Sequence, residues 1–188
     1  MLRDFDILTS LAKRGLVKVA ISLTTLDGKL ARAMEPRAST PAKRLEALRI
    51  LSAAGVPTVV MMGPVIPVVN DMEIEAILKS AAVAGVKEAG YTMLRLPLEV
   101  KDIFKEWLRT EMPDRAAKVM SLVKSVRGGK ESDSTFGKRM SGTGPYAWMI
   151  GRRFQMSCER LGINKNRIRL AGDLFCVPPQ PGEQLMLI

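Results

Sequence analysis

Apolar and polar positions alternate between two rhythms along the first hundred residues. Phe5, Leu8, Leu11 and Ala12 recur at helical spacing ahead of Gly15, which predicts a helix over residues 1–15. Residues 17–23 form a short run rich in β-branched side chains, the signature of a strand buried on at least one face. The run stops at Ser22, Thr24, Thr25 and Asp27, and "DGKLARAMEPR" reads as a charged loop. "STPAKRLEALRILSAAG" predicts a second helix, with Thr40 as cap, Pro41 in the first turn, Leu45, Leu48 and Leu51 as its buried stripe, and Gly55 as terminator. "VPTVVMMGPV" predicts the next strand. "NDMEIEAILKSAAVAG" predicts a helix that Asn70 and Glu73 cap as a pair and Gly85 ends. "AGYTMLRLPL" predicts a third strand, and residues 100–109 a helix carrying Phe104, Trp107 and Leu108 on one face.

This alternation is an α/β pattern of about three parallel strands with flanking helices. The helix over residues 1–15 should itself follow a strand, and none precedes it in the sequence. Residues 17–23 are therefore expected at an uncovered sheet edge, a place where another copy of the chain or a separate segment can pair. After Pro113 the rhythm changes. "PDRAAKVMSLVKSVRGG" and "GPYAWMIGRRFQMSCERLG" predict two basic helices, and "KESDSTFGKRMSGTG" between them a Gly/Ser/Lys loop. The tail "CVPPQPGEQLMLI" is proline-rich and ends in a strand-like piece. The expected division is residues 1–112 as the αβ part and 113–188 as a basic helical extension.

Charge sharpens that division. The net charge is +10, and residues 115–170 hold 13 Lys/Arg against 3 Asp/Glu while the remainder balances. Such a block suits phosphate backbones or acidic partners, and it suits equally a solvated surface that keeps a protein soluble. The longest apolar stretch, residues 56–69, is broken by Pro57, Pro64 and Pro67, so no membrane span is predicted. Nor does a cationic leader with an apolar core open the chain. Cys158 and Cys176 lack metal-type spacing and fit a reducing cytoplasm better than a disulfide scaffold.

Parallel α/β folds bind ligands at the carboxyl ends of their strands. The first end offers Ser22, Thr24, Thr25 and Asp27. The second is "GPVIPVVND", and the third "LRLPLE" carries Arg95 and Glu99. Hydroxyls, carbonyls and a cation can hold a polar cofactor, but they form no nucleophile–base pair and no metal cluster, and the chain has no histidine. Each Ser or Thr also has a plainer use as a turn or helix cap. Arg95, within an apolar run, needs a carboxylate or a bound anion as partner. Glu35 and Arg37 either pair at the surface or leave Arg37 to fork onto a carboxylate or phosphate. Met61, Met62 and Cys158 read as core. Tyr91 and Trp148 read as packing residues, with "TGPYAWMIGRRF" also able to present a stacking platform beside its arginines.

"SLTTLDGKLARAMEPRASTPAKRLEALRILSAAGVPT", "MMGPVIPVVNDMEIEAIL", "AGYTMLRLPLEVKDIFKEWL" and "FGKRMSGTGPYA" together resemble radical SAM proteins of the spore photoproduct lyase-like group, often labelled DNA repair photolyases. The resemblance covers nearly the whole chain. It implies a partial (β/α) barrel, S-adenosylmethionine and a 4Fe-4S cluster that generates a 5′-deoxyadenosyl radical. That family holds its cluster with a C-x-x-x-C-x-x-C loop after the first strand, and this sequence contains no such motif. The resemblance therefore implies the C-terminal part of a longer protein, beginning after the third strand, with part of a cofactor pocket and no catalysis of its own. It places Ser22 and Thr24 at the cofactor ribose or carboxylate, and Arg37 at the carboxylate. Val65 and Ile66 fall against adenine, and residues 94–96, Arg95 among them, at the adenine edge. Two other readings stand beside this one: a nucleic-acid-binding module acting through residues 115–170, and an assembly partner without catalysis, as a homo-oligomer or joined to a cluster-bearing N-terminal half.

Overall fold

The computed structural model describes residues 2–133, 135–174 and 177. After a single 3-10 turn the order is α1 (Phe5–Lys13), β1 (Val19–Ser22), α2 (Gly28–Met34), α3 (Pro41–Ala53), β2 (Thr58–Val65), α4 (Ile74–Val83) and β3 (Glu88–Met93). Then come α5 (Val100–Glu111), α6 (Pro113–Ser125) and α7 (Gly144–Leu161). The strands form one open, wholly parallel sheet in the order β1-β2-β3. It is not a closed barrel.

Register explains which side is buried. Ile21, Val60 and Ala89 share one row, and Ser22, Met61 and Gly90 the next. Successive side chains leave opposite faces. Val19, Ile21, Val60 and Met62 thus enter a core with Leu48 and Leu51 of α3, Ile77, Leu78 and Ala81 of α4, and Ile150, Phe154 and Cys158 of α7. The alternate face leaves Ala20 and Ser22 exposed. A second apolar cluster sits beyond the strand ends, where Ile66, Val69, Leu94 and Leu96 meet Leu30 of α2, Leu108 of α5, and Val119 and Val123 of α6.

The two sheet edges differ. On the β3 side the Asn164 side chain clasps one peptide of the strand: Ala89 N–H donates to Asn164 Oδ1 and Asn164 Nδ2 donates to the Ala89 carbonyl, each at 3.0 Å. On the β1 side the strand meets solvent at Ala20 and Ser22, and Arg44 reaches across to the Ser22 carbonyl at 3.0 Å.

Three expectations change. The "DGKLARAM" stretch is a helix, because Asp27 accepts the N–H groups of Lys29 and Leu30 and so caps α2. The third strand stops at Met93, so Arg95 lies past its end. Asn70 and Glu73 do not cap α4; both turn inward onto the strand ends. Thr40 does cap α3 as expected, accepting from Lys43 N–H. No described helix is long and apolar enough to cross a membrane. The strand-like end of the tail lies outside the described residues, as does Cys176.

Candidate functional site

The carboxyl ends of β1 and β2 are knitted together by two side chains. Asn70 is buried and makes three bonds: Oδ1 accepts Ile66 N–H at 2.7 Å, and Nδ2 donates to the carbonyls of Thr24 at 2.9 Å and Pro64 at 3.0 Å. Glu73 accepts the Thr25 hydroxyl with one oxygen and Leu26 N–H, at 2.7 Å, with the other. The Thr24 hydroxyl donates to the Gly63 carbonyl at 3.4 Å. Of the rim hydroxyls picked out in the sequence, Thr24 and Thr25 are therefore engaged within the fold, and Ser22 faces solvent.

The β2 rim is held in an unusual backbone shape. Val68 has φ of 65° in the loop after β2, which β-branched residues rarely adopt. Asp71 fixes it by accepting Val68 N–H at 2.8 Å through one carboxylate oxygen, while Tyr146 of α7 donates its hydroxyl to the other. Burial and the Asp71 carboxylate together push the Tyr146 phenol well above its ordinary range.

Two open clefts flank the end of α2, one touching Met34 and the other Glu35. One, of about 220 Å³, is apolar and lined by Met34, Pro64, Ile66, Leu94, Phe104 and Trp107. Trp107 closes its floor by donating Nε1–H to the Ala33 carbonyl at 3.1 Å, and it stacks on Phe104 at 5.7 Å. The other, of about 350 Å³, runs along the β1 edge past Ser22, Glu35, Ser39, Lys43 and Arg44. Glu35 pairs with Arg44 at 2.7 Å rather than with Arg37, which is exposed on the following loop. Of the site residues drawn from sequence, Ile66 lines the apolar cleft and Ser22 the polar one. Val65 is in the core beneath them, and Arg95 is half-buried past β3. Sequence reasoning overlooks Arg44, whose position on α3 gives no sign that it reaches β1.

A third cleft, of about 410 Å³, lies between β3 and α7, lined by Tyr91, Ser141, Thr143, Trp148, Arg152 and Gln155. Trp148 is 71% exposed there.

The polar cleft falls wholly within one matching segment, and the apolar cleft takes its Met34, Pro64 and Ile66 wall from it and the rest from Leu94, just past β3, and α5 beyond it. Residues 1–81 match the Radical SAM superfamily. Uncharacterized proteins of Mycobacterium bovis and Mycobacterium tuberculosis align over 180 residues at 28% identity, covering 95% of this chain and 47% of theirs. An uncharacterized protein of the Acidianus two-tailed virus aligns over 97 residues at 34% identity, covering 49% of this chain and 32% of its own length. The chain thus spans about half the length of the curated relatives it matches. No solved structure is significantly similar to it.

The radical SAM superfamily implies S-adenosylmethionine and a 4Fe-4S cluster, and the residues present fit the two unequally. An apolar cleft with an aromatic wall beside a polar groove suits an adenosyl group and its charged tail. The cluster has no thiolate set here. Cys158 is buried in α7, its thiol pushed up to about 11 chiefly by burial, with the Glu159 charge adding to it. Among the described residues no group of His, Cys, Asp and Glu could hold a metal ion.

Proposed function

We propose that this polypeptide is the S-adenosylmethionine-holding portion of a radical SAM protein of the spore photoproduct lyase-like group, arranged as part of a (β/α) barrel. The superfamily match over residues 1–81, combined with a polar cleft within it and an apolar cleft on the other side of the α2 end, carries this reading. In it Ile66, Leu94, Phe104 and Trp107 pack the adenine. Ser22 meets the ribose, and Arg44, with Arg37 from the exposed loop after α2, meets the carboxylate. Thr24 holds the rim in place. The iron ligands come from elsewhere, through a partner segment or partner polypeptide seated beside β1.

Trp107 supplies a direct test. In a Trp148→Phe background it is the sole tryptophan, since the chain has 2. Millimolar S-adenosylhomocysteine should shift its fluorescence, and Ile103→Lys at the cleft's exposed lip should abolish the shift. Reconstitution of this chain with iron and sulfide should leave no four-iron absorbance. No ligand response, or a stoichiometric cluster, would refute the assignment.

A second reading has its own support. Trp148 stands exposed beside Arg152 in a block of strong positive charge, an arrangement on which a nucleic-acid base can stack. Single-stranded DNA should then bind at low salt, weaken steeply as salt rises, and bind less well to Trp148→Ala.

A further inference from the structure

Two guanidinium groups lie near enough to interact at the carboxyl end of β3, behind the Leu94 that lines the apolar cleft and outside the residues lining either cleft of the proposed cofactor site. Arg127, only 2% exposed, follows the end of α6. Its Nη2 donates to the carbonyls of Met93 at 3.0 Å and Leu94 at 2.7 Å, and its Nη1 to those of Arg139 at 2.8 Å and Lys138 at 3.4 Å. It thereby pins the Lys138–Met140 turn onto the strand end, helped by Met93 N–H donating to the Met140 carbonyl at 2.7 Å. Four neutral carbonyls accept its hydrogen bonds, and none of them cancels its charge.

Arg95 is the residue after that accepting Leu94 carbonyl. Its Nε is buried and without a hydrogen-bond partner, as is the Nε of Arg127. No described residue forms an ion pair or hydrogen bond with the Arg95 guanidinium. The two cations feel each other: burial, and then the Arg95 charge, lower the pKa of Arg127, with Asp133 pulling the other way. Asp133 is half-buried, accepts Thr135 N–H at 2.9 Å and feels the charges of Lys130 and Arg127, but forms no ion pair with Arg95. Lys130 and Arg139 add further positive charge on the same loop, and Arg139 lies 5.4 Å over the ring of Phe136, itself 87% exposed. Like charges held together in a partly desolvated place are unfavourable unless an anion joins them. One guanidinium with its donors unengaged, backed by a second buried charge, matches a doubly charged oxyanion better than a single carboxylate.

We propose that Arg95, backed by Arg127, is a phosphate-binding site at the carboxyl end of β3, receiving the phosphate of a ligand beside the Lys138–Met140 turn. Arg95 forks onto the oxygens. Arg127 supplies charge and holds the turn. Phe136 offers a flat face to whatever the phosphate carries. The site uses residues outside the 1–81 match and does not depend on the cofactor reading.

The full 188-residue chain is the sample for the test. Inorganic phosphate should raise its melting temperature above that in sodium chloride of equal ionic strength. Arg95→Gln should bind phosphate roughly tenfold or more weakly by calorimetry, and Arg95→Lys should recover part of the loss through its point charge. Without phosphate, Arg95→Gln should melt no lower than the parent chain, because it removes a repulsion and no bond. A nucleoside 5′-monophosphate binding as phosphate does assigns the site to a phosphomonoester. A short single strand that binds through Arg95, with the monophosphate without effect, assigns it to a phosphodiester. Equal phosphate responses from the parent, Arg95→Gln and Arg95→Lys chains would overturn the proposal.

Discussion

Asn70 shows how much of the rim depends on one amide. Its side chain satisfies a buried N–H and two carbonyls from two distant stretches of chain, Pro64–Ile66 and Thr24. Asn70→Ala leaves all three without that partner and should cost about 3 kcal/mol in chemical denaturation. Asn70→Asp keeps the acceptor but puts a negative charge against two carbonyl oxygens, so it should also destabilise. Cys158 gives a second prediction at this scale. Burial holds its pKa at about 11, so in a Cys176→Ser chain a disulfide reagent at pH 8 should react only as fast as the protein opens. The sequence marked Asn70 and Cys158 correctly as notable or core residues, but it misread what Asn70 bonds. A polar side chain beside a helix start looks like a cap, and only the return of the chain brings the Thr24 carbonyl within its reach. Arg127 shows no special pattern in the sequence, because its four acceptors are backbone atoms from two distant segments.

Among the elements, α7 has a role beyond covering the sheet. It grips the β2–α4 connection through Tyr146 on Asp71, and the first turn of α4 through Arg153, which makes a two-pronged pair with Glu75 at 2.9 and 2.7 Å. Tyr146→Phe preserves the ring and deletes the donor to Asp71, so it should cost about 2 kcal/mol and increase hydrogen exchange at Val68. Arg153 holds the Glu75 carboxyl below the usual glutamate range, chiefly through the paired hydrogen bonds. A lowered folded-state pKa stabilises above the unfolded value of about 4.3 and is lost as pH falls through the folded one. Glu75→Gln should therefore be less stable than the parent chain at pH 7, converge with it in acid, and flatten the stability profile between. Helix and strand positions were legible because apolar spacing is set by burial. The helix α2 was not, since its seven residues are too few for a stripe, and its only signal was an aspartate in front of a glycine. The third strand was read too long because Leu94 and Leu96 are buried like strand residues, though by α5 and α6 rather than by a neighbouring strand.

For the molecule as a whole, charge and sheet edges set what can approach. The positive excess lies in residues 115–170, which supply α6, the 128–142 loop and α7. Should nucleic acid bind there, a plot of log affinity against log salt should be linear and steep, and Arg152→Gln should reduce its slope by about one. The open parallel sheet was readable from the alternation of strands and helices, and the exposed first strand from the helix that precedes it. The α2–α5 wall of the apolar cleft was not readable, since it depends on Trp107 finding the Ala33 carbonyl. Asn164 carries a consequence for assembly. By answering both the N–H and the C=O of Ala89, it works as a one-sided stopper. A strand added on that side has first to displace the amide, whereas at the Ala20–Ser22 margin Arg44 holds one carbonyl, so strand addition should favour the β1 side.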